Sequence, residues 1–262
     1  MDLHLQGKTA LVTAASYGLG YACAEALAKE KVRLAICSRD EGRIALAARD
    51  LSKKTGAEVL GFAADLADEE QVDTLITEVK GALGHVDILV LNTGHPPVLP
   101  FTEASDEDWQ RGLDVVLKPA IQLTTAFVPM MREHRYGRLI YIGSIFGIEP
   151  ERTSIVQSTF RTGLNAFAKC VATEAAPDGV TANVICPGYF DTPLTRELAR
   201  QFAARTKTSL EQVLSDWKNI APAKKFGKPE DLGALAAFLA SPVAEYVNGT
   251  TITIDGGALK QY

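Results

Sequence analysis

The segment Thr13-Ala14-Ala15-Ser16-Tyr17-Gly18-Leu19-Gly20 combines residue types that bind phosphate. It follows a short apolar run that contains Leu11 and Val12, and a helical pattern of apolar residues comes after it. Glycines let the backbone approach a pyrophosphate, and a helix start offers free N–H groups and the positive end of its dipole. We therefore predict a dinucleotide site, although two glycines alone also fit an ordinary strand-to-helix turn. The predicted contacts are Thr13, Ser16, Gly18, Leu19 and Gly20.

The end of the second apolar run indicates which dinucleotide is bound. Ser38-Arg39 stands about twenty residues beyond the turn, where an acidic side chain would bond a ribose 2′-hydroxyl and an arginine accommodates a 2′-phosphate. Asp40 follows and is interpreted as a helix cap. The pattern favours NADP(H) over NAD(H), and the alternative is a solvated arginine at a helix start.

Two further polar segments follow the third and fourth apolar runs. They are Ala64-Asp65-Leu66 and Asn92-Thr93-Gly94. Open α/β sheets bind ligands at the carboxyl ends of their strands. We therefore predict that Asp65, Leu66, Asn92 and Gly94 belong to the same site as the glycine turn.

The elements that would position these turns alternate along the chain. Strands are predicted at about 8–13, 32–37, 57–63, 86–91, 138–142, 180–186 and 250–254, with helices between them. This alternation predicts an α/β fold, a Rossmann-type doubly wound parallel sheet of about seven strands. Residues 1–262 are expected to form one dinucleotide-binding domain, with an inserted helical pair at Thr192–Ile220 inside a substrate lid at about 190–225.

Helix signals are clearest at two places. Asp68-Glu69-Glu70-Gln71 predicts a capping box. A long helix is predicted to begin at Ser105-Asp106-Glu107-Asp108 and to be kinked or interrupted by Pro119 and Pro129.

Composition excludes several classes of function. The 262 residues carry a net charge of −5, which offers no basic field for nucleic acid or an anionic membrane. No apolar stretch reaches the roughly 18 residues of a membrane span, and the N-terminus lacks a signal-peptide pattern. A cytoplasmic protein without nucleic-acid or membrane partners is expected.

The cysteines and histidines do not form metal-ligand patterns. Cys23, Cys37, Cys170 and Cys186 are far apart, each in an apolar run, and are expected to be buried. The four histidines are scattered, so no metal site is expected.

The order and spacing of these motifs resemble the short-chain dehydrogenase/reductase family over essentially the whole chain. The matching pieces are Thr13…Gly18-x-Gly20, Asp65-Leu66, Asn92-x-Gly94, Ser144, Pro187-Gly188 with Thr192, and Asp255-Gly256-Gly257. The C-terminal half is most similar to β-ketoacyl-carrier-protein reductase-like members, in particular to a divergent subgroup that lacks the usual catalytic set.

The resemblance implies specific roles. Asp65 would bond the adenine, Asn92 and Gly94 would line the adenosine side, and Pro187, Gly188 and Thr192 would hold the nicotinamide. It also implies a small carbonyl substrate, possibly an acyl thioester, and a homotetramer.

The family's catalytic Asn, Ser, Tyr and Lys are only partly retained. Ser144 stands at the serine position, where it would polarise the carbonyl. Gln157 and Arg161 stand at the Tyr and Lys positions, and Val116 stands at the Asn position. Ala14 replaces the first glycine of the turn.

These replacements change the chemistry that the site can perform. Glutamine cannot titrate, so Gln157 can orient an oxygen but cannot supply a proton. Arginine stays charged, yet Arg161 can bond the ribose hydroxyls and face a developing alkoxide. A general acid contributes roughly 10²–10⁴ in rate, so hydride transfer is expected to need water or another proton source. Tyr189 and His95 are candidates, for which packing roles are the alternative.

The predicted insert adds charged and aromatic side chains. Its cations are Arg196, Arg200, Arg205, Lys207 and Lys218, which are interpreted as solvated helix faces or as a clamp for a carboxylate or phosphopantetheine. Phe202 and Trp217 either line a pocket or pack the lid.

Three functions remain open at the level of sequence. The first is an NADP(H)-dependent reductase in which Ser144, Gln157 and Arg161 form a rewired site. The second is a catalytically impaired NADP(H)-binding or regulatory protein. A non-redox enzyme on the same scaffold is the third, and no feature of the sequence favours it.

Overall fold

A computed structural model describes residues 1–260 and contains one seven-stranded parallel sheet. The strand order is β3-β2-β1-β4-β5-β6-β7. The strands are β1 Thr9–Val12, β2 Arg33–Ser38, β3 Val59–Ala63, β4 Ile88–Leu91, β5 Gly137–Ile142, β6 Val180–Pro187 and β7 Thr251–Ile254. The predicted doubly wound α/β fold is confirmed.

Helices cover both faces of this sheet. They are α1 Gly18–Lys29, α2 Glu41–Thr55, α3 Glu69–Leu83, α4 Asp106–Gly112, α5 Lys118–Glu133, α6 Ile155–Ala175, α7 Pro193–Thr206, α8 Leu210–Ile220 and α9 Pro229–Ala240. One core lies between the sheet and α1, α2 and α9, and the other lies between the sheet and α3, α5 and α6. None of the helices within residues 1–260 is long and apolar enough to cross a membrane.

The sheet reverses its winding between β1 and β4, which are neighbours although two strands separate them in sequence. Both strands are fully buried, with Ala10 beside Ile88 and Leu11 beside Leu89. The crossovers therefore leave in opposite directions and open a crevice at the carboxyl ends of the strands. Ligands of open α/β sheets bind at such a point.

The long helix predicted from Ser105 is interrupted in a different way from the expected one. A π-helical turn at Leu113–Leu117 separates α4 from α5. Pro119 lies in the first turn of α5, and Pro129 lies inside α5 without ending it. The interruption is a change of helical winding that comes before either proline.

The capping box predicted at Asp68 is only half formed. The Asp68 side chain accepts hydrogen bonds from the N–H groups of Glu70 and Gln71. Gln71 Oε1, however, accepts from the N–H of Asp65 at 3.0 Å and not from that of Asp68. The glutamine thereby ties the loop after β3 to the start of α3.

Burial is confirmed for Cys23, Cys37 and Cys186 and is wrong for Cys170, which is exposed on α6. Ala168 and Ala172 on the same helix are buried. The residue halfway between two core positions one turn apart points outward in an α-helix. The apolar run around Cys170 therefore does not bury it.

The helical pair predicted after Pro187 is present as α7 and α8. The two helices share a small core of their own, formed by Ala199, Ala203 and Val213 with Phe202 and Trp217 packed against it. Since this core is separate from the two cores beside the sheet, the pair is a distinct layer above the carboxyl edge.

Candidate active site

The turn after β1 is held in place by Asn92, at the end of β4. The Thr13 hydroxyl donates to the Asn92 carbonyl oxygen at 2.6 Å, and Asn92 Nδ2 donates to the Ala14 carbonyl oxygen at 3.2 Å. The Ala15 N–H donates to the carbonyl oxygen of Cys37 on β2 at 2.9 Å. Three neighbouring strands therefore fix one turn.

Two glycines give this turn its shape. Gly18 has a φ of 67°, a left-handed conformation. A Cβ at Gly20 would lie 2.5 Å from the Ala14 carbonyl oxygen and 2.9 Å from Asn92 Nδ2, so no larger residue fits there. Tyr17 gives α1 no side-chain cap, which leaves the first N–H groups of the helix available to an acceptor. These features fit the diphosphate of a dinucleotide.

Ala14 is the strained residue of the turn, because its φ is 45° and it carries a side chain. We expect Ala14→Gly to raise the free energy of unfolding by up to about 1 kcal/mol, the relief of strain less the entropy that glycine adds to the unfolded chain. Denaturant unfolding measures the change. Ala15→Gly is the matched control, since Ala15 has no positive φ, and it should lower stability. Equal losses in both variants would contradict strain at Ala14.

The residues predicted to bind the adenosine half lie together at the ends of β2 and β3. The Arg39 side chain is 72% exposed, with Nη1 4.0 Å from Asp65 Oδ2. Asp40 caps α2 by accepting from the Arg43 N–H at 2.8 Å, which confirms its interpretation as a cap. The Arg39 guanidinium is therefore exposed at this edge, with the Asp65 carboxylate as its neighbour.

A cavity of about 560 Å³ opens beside the turn, at the carboxyl ends of β4, β5 and β6. Of the predicted site residues, it is lined by Leu19, Asn92, Gly94, Ser144, Gln157, Arg161, Pro187, Gly188 and Thr192. The other predicted residues, Thr13, Ser16, Gly18, Gly20, Ser38, Arg39, Asp65 and Leu66, do not line it. They belong to the turn and to the ends of β2 and β3.

Ser144 follows β5 and is 6% exposed. Its Oγ accepts hydrogen bonds from the Phe146 N–H at 3.2 Å and from Gln157 Nε2 at 3.3 Å. Both lone pairs of the hydroxyl are therefore engaged, and its proton can be donated. The Ser144 hydroxyl thus has a proton left for an acceptor in the cavity that it lines.

Gln157 lies on α6 and is 5% exposed. Its Nε2 reaches Ser144, whereas its Oε1 has no hydrogen-bond partner within residues 1–260. A buried carbonyl oxygen without a partner is uncommon in folded proteins. The Gln157 side chain, which lines the cavity, thus carries an acceptor that no group of residues 1–260 satisfies.

Arg161 lies one turn further along α6 and is also 5% exposed. Nη1 donates to the carbonyl oxygen of Ile142 at 2.6 Å and Nη2 donates to that of Gly94 at 3.3 Å, while Nε has no partner in the described part of the chain. Burial lowers the pKa of Arg161 to about 10, so it remains charged at neutral pH. No ion pair among residues 1–260 includes it, and its charge is therefore not neutralised by an acid of the chain.

Val116 stands at the position of the family's asparagine. It lies in the π-helical turn, is fully buried and packs in the core beside α5. The side chain at this position is part of the core and holds no water.

The two candidate proton sources, His95 and Tyr189, both line the cavity, and the pKa of each is shifted. Burial, together with the charge of Arg161, lowers the pKa of His95 to about 4, so its imidazole is neutral and bonds the Pro96 carbonyl oxygen through Nδ1 at 2.6 Å. Burial, together with Glu151, raises the pKa of Tyr189 to about 12. Tyr141 faces away, with its hydroxyl 2.8 Å from the Thr124 hydroxyl in the core.

Several lining residues were missed from the sequence. They are Val98, Phe146, Glu151, Thr153, Ser154, Leu194, Leu198 and Gln201. Glu151 Oε1 accepts from the N–H and the hydroxyl of Thr153, both at 3.2 Å. The available signal was that the loop from β5 to α6 must lie at the carboxyl edge of the sheet.

Comparisons with known proteins agree with this fold. Residues 13–258 match the family model described as enoyl-(acyl carrier protein) reductase. The chain is 31% identical over 257 residues to 3-oxoacyl-[acyl-carrier-protein] reductase FabG of Aquifex aeolicus, covering 98% of this chain and 99% of that protein. It is 32% identical over 257 residues to oxidoreductase UcpA of Salmonella typhimurium, covering 97% and 95%.

A solved structure shows the same similarity. L-sorbose reductase from Gluconobacter frateurii, complexed with NADPH and L-sorbose, superposes with a TM-score of 0.95 at 34% identity over 100% of both chains. This chain belongs to the short-chain dehydrogenase/reductase family, as its motifs predicted.

Proposed function

We propose that this chain is an NADP(H)-dependent oxidoreductase that reduces a carbonyl compound at an atypical active site. The observation that carries the proposal is the pairing of the Ser144 donor with the buried cation of Arg161 in one cavity, beside a turn that fits a diphosphate. Two of the similar proteins named above are reductases, and the L-sorbose reductase structure contains NADPH.

NADP(H) is the cofactor, and Arg39 suits its additional phosphate. The glycine turn and Ser16 would hold the diphosphate, and Ser38, Arg39, Asp65 and Leu66 would surround the adenosine half. The remaining predicted contacts line the cavity. Asn92 and Gly94 would continue the adenosine side, and Arg161, Pro187, Gly188 and Thr192 would meet the nicotinamide half. The partnerless Nε of Arg161 leaves a donor for a ribose hydroxyl.

Each side chain of the atypical site has a separate task in the proposed reduction. Bound NADPH supplies a hydride for the carbonyl carbon. The Ser144 hydroxyl donates to the carbonyl oxygen, and the charge of Arg161 stabilises the negative charge that grows there. Gln157 orients the substrate without giving up a proton. The proton that completes the alcohol comes from solvent in the cavity.

The cavity is also covered on one side by the helical pair. Leu194, Leu198 and Phe202 of α7 and Trp217 of α8 line it. We propose that α7 and α8 act as the substrate lid predicted at 190–225. The family resemblance further supports a homotetramer, which light scattering tests. The proposed location is the cytoplasm, which cell fractionation tests.

One experiment tests the proposed function. NADPH and NADH binding are measured by fluorescence with the purified protein, and a panel of β-ketoacyl esters, hydroxy ketones, diketones and quinones is then added. Oxidation of NADPH that depends on a carbonyl compound supports the reductase. Tight NADPH binding without turnover across the panel supports the alternative, a regulatory NADP(H)-binding protein.

We expect Arg39→Ala to weaken NADPH binding roughly 10-fold and to leave NADH binding nearly unchanged, because an exposed charged contact to a phosphate is lost. Fluorescence titration with both nucleotides measures this. Arg49→Ala is the matched control, since Arg49 is an exposed arginine on α2. Equal losses for NADPH and NADH would contradict recognition of the 2′-phosphate by Arg39.

We expect kcat/KM for the reduction to be nearly constant from about pH 6 to about pH 9. The pKa of His95 is lowered to about 4, so it gains a proton only below that range. Arg161 loses its proton only near pH 10, and burial holds Cys186 and Tyr189 protonated to about 11 and about 12. A pH–rate profile checks this, and a bell-shaped curve centred in the range would reveal a titrating acid that the proposal lacks.

A further inference from the structure

Ser144 and Gln157 present a free donor and a free acceptor side by side. Ser144 Oγ lies 3.3 Å from Gln157 Nε2, and both lone pairs of the serine oxygen are engaged. Gln157 Oε1, on the same amide group, is buried and has no partner within residues 1–260. A ligand that satisfies both groups must accept one hydrogen bond and donate another over a short span.

A simple ketone satisfies only half of this pair. Its oxygen accepts from Ser144, but it has no hydrogen to donate, and Gln157 Oε1 stays buried without a partner. A β-keto thioester adds a second carbonyl acceptor and no donor. Leaving a buried acceptor unsatisfied costs a desolvation penalty, so such ligands bind at a disadvantage.

We propose that the substrate is an α-hydroxy ketone, whose carbonyl oxygen accepts from Ser144 and whose adjacent hydroxyl donates to Gln157 Oε1. This assignment rests on the proposed reductase function and narrows its substrate class. The adjacent carbons of an α-hydroxy ketone place the two oxygens on one short edge of the molecule, as the serine–glutamine pair requires.

The remainder of the cavity suits a neutral ligand with further hydroxyl groups. Glu151 and Arg205 both line it and their opposite charges cancel, so the unbalanced charge of the cavity is that of Arg161, which the proposed function assigns to the ribose and to the developing alkoxide. Only one oxygen of Glu151 is engaged by Thr153, and the other can accept from a hydroxyl. Tyr189 and Trp217, with ring centroids 5.3 Å apart, supply an apolar wall for the carbon skeleton.

Hydroxyacetone and methoxyacetone form the decisive pair of probes. Both carry an electron-withdrawing oxygen beside the ketone, but only the hydroxyl can donate a hydrogen bond. We expect kcat/KM of the NADPH-loaded protein to favour hydroxyacetone roughly 10- to 100-fold. In Gln157→Leu the ratio should fall to about 1, whatever the absolute rates. Gln157→Glu keeps an acceptor for the hydroxyl but loses the donor to Ser144, so it should prefer hydroxyacetone while kcat/KM falls for both probes.

Calorimetry separates this assignment from the proposed function. Both probes are titrated into the NADP⁺-loaded protein, where no reduction occurs, and the wild type should bind hydroxyacetone more tightly while Gln157→Leu should not. Equal binding of the probes by the wild type, or an undiminished preference in a folded Gln157→Leu, overturns the assignment. Absence of NADPH oxidation with every carbonyl probe overturns the reductase, and a binding preference for hydroxyacetone would still support the hydroxyl contact.

Discussion

Ser144→Ala should lower kcat/KM for carbonyl reduction about 100- to 1000-fold, the usual effect of removing one donor to a developing oxyanion. The serine oxygen accepts from both Gln157 and the Phe146 N–H, so its proton can be directed at the substrate. NADPH affinity should change little, because Ser144 touches the reacting oxygen and not the nucleotide in the proposed arrangement. Steady-state kinetics and fluorescence titration separate the two effects.

The control for Ser144→Ala is Ser241→Ala. Ser241 is also fully buried, and its hydroxyl donates to the Phe238 carbonyl oxygen at 2.6 Å. Its carbonyl oxygen accepts from Arg138 at the start of β5, at the opposite edge of the sheet from Ser144. The control should lose stability and keep kcat/KM. If both variants lose activity in proportion to their stability, Ser144 is a structural residue.

Local chemistry explains which features were predictable from the sequence. The alternation of apolar runs with helical patterns predicted the parallel sheet, since each element follows from a short window of residues. Gly18 and Gly20 predicted the turn because backbone geometry depends on the residue itself. Asp40 was identified as a cap for the same reason, and the structure shows its side chain on the Arg43 N–H.

Features that depend on distant partners were not predictable. The guanidinium of Arg161 is bonded to carbonyl oxygens of Ile142 and Gly94, which precede it by 19 and 67 residues. No spacing rule connects these positions. The partnerless Oε1 of Gln157 likewise follows from packing around the cavity and cannot be derived from a glutamine in a helix. The sequence identified Gln157 and Arg161 as unusual. The structure shows that Gln157 Oε1 and Arg161 Nε have no hydrogen-bond partner within residues 1–260.

The double variant Gln157→Tyr with Arg161→Lys should raise kcat for carbonyl reduction, by as much as about 100-fold, because it introduces a general acid beside a cation. We expect this rise in kcat to lie at the lower end of what a general acid contributes, because the phenol must fit a cavity shaped around an amide. Position 157 lines the cavity, so a phenol there would stand beside the proposed carbonyl site. Each single variant is the control for the pair.

The pH dependence of the double variant distinguishes a restored acid from a general improvement in binding. A phenol near an ammonium group has a lowered pKa, because the positive charge favours the phenolate. The acid form donates the proton in the direction of reduction, so activity should fall as the pH rises through that pKa. The wild type, whose shifted groups titrate near 4 and at 10 or above, should stay flat. If the double variant is no faster and its profile remains flat, the missing acid does not limit the reaction, and the substitutions at 157 and 161 have adapted the site to a different substrate contact.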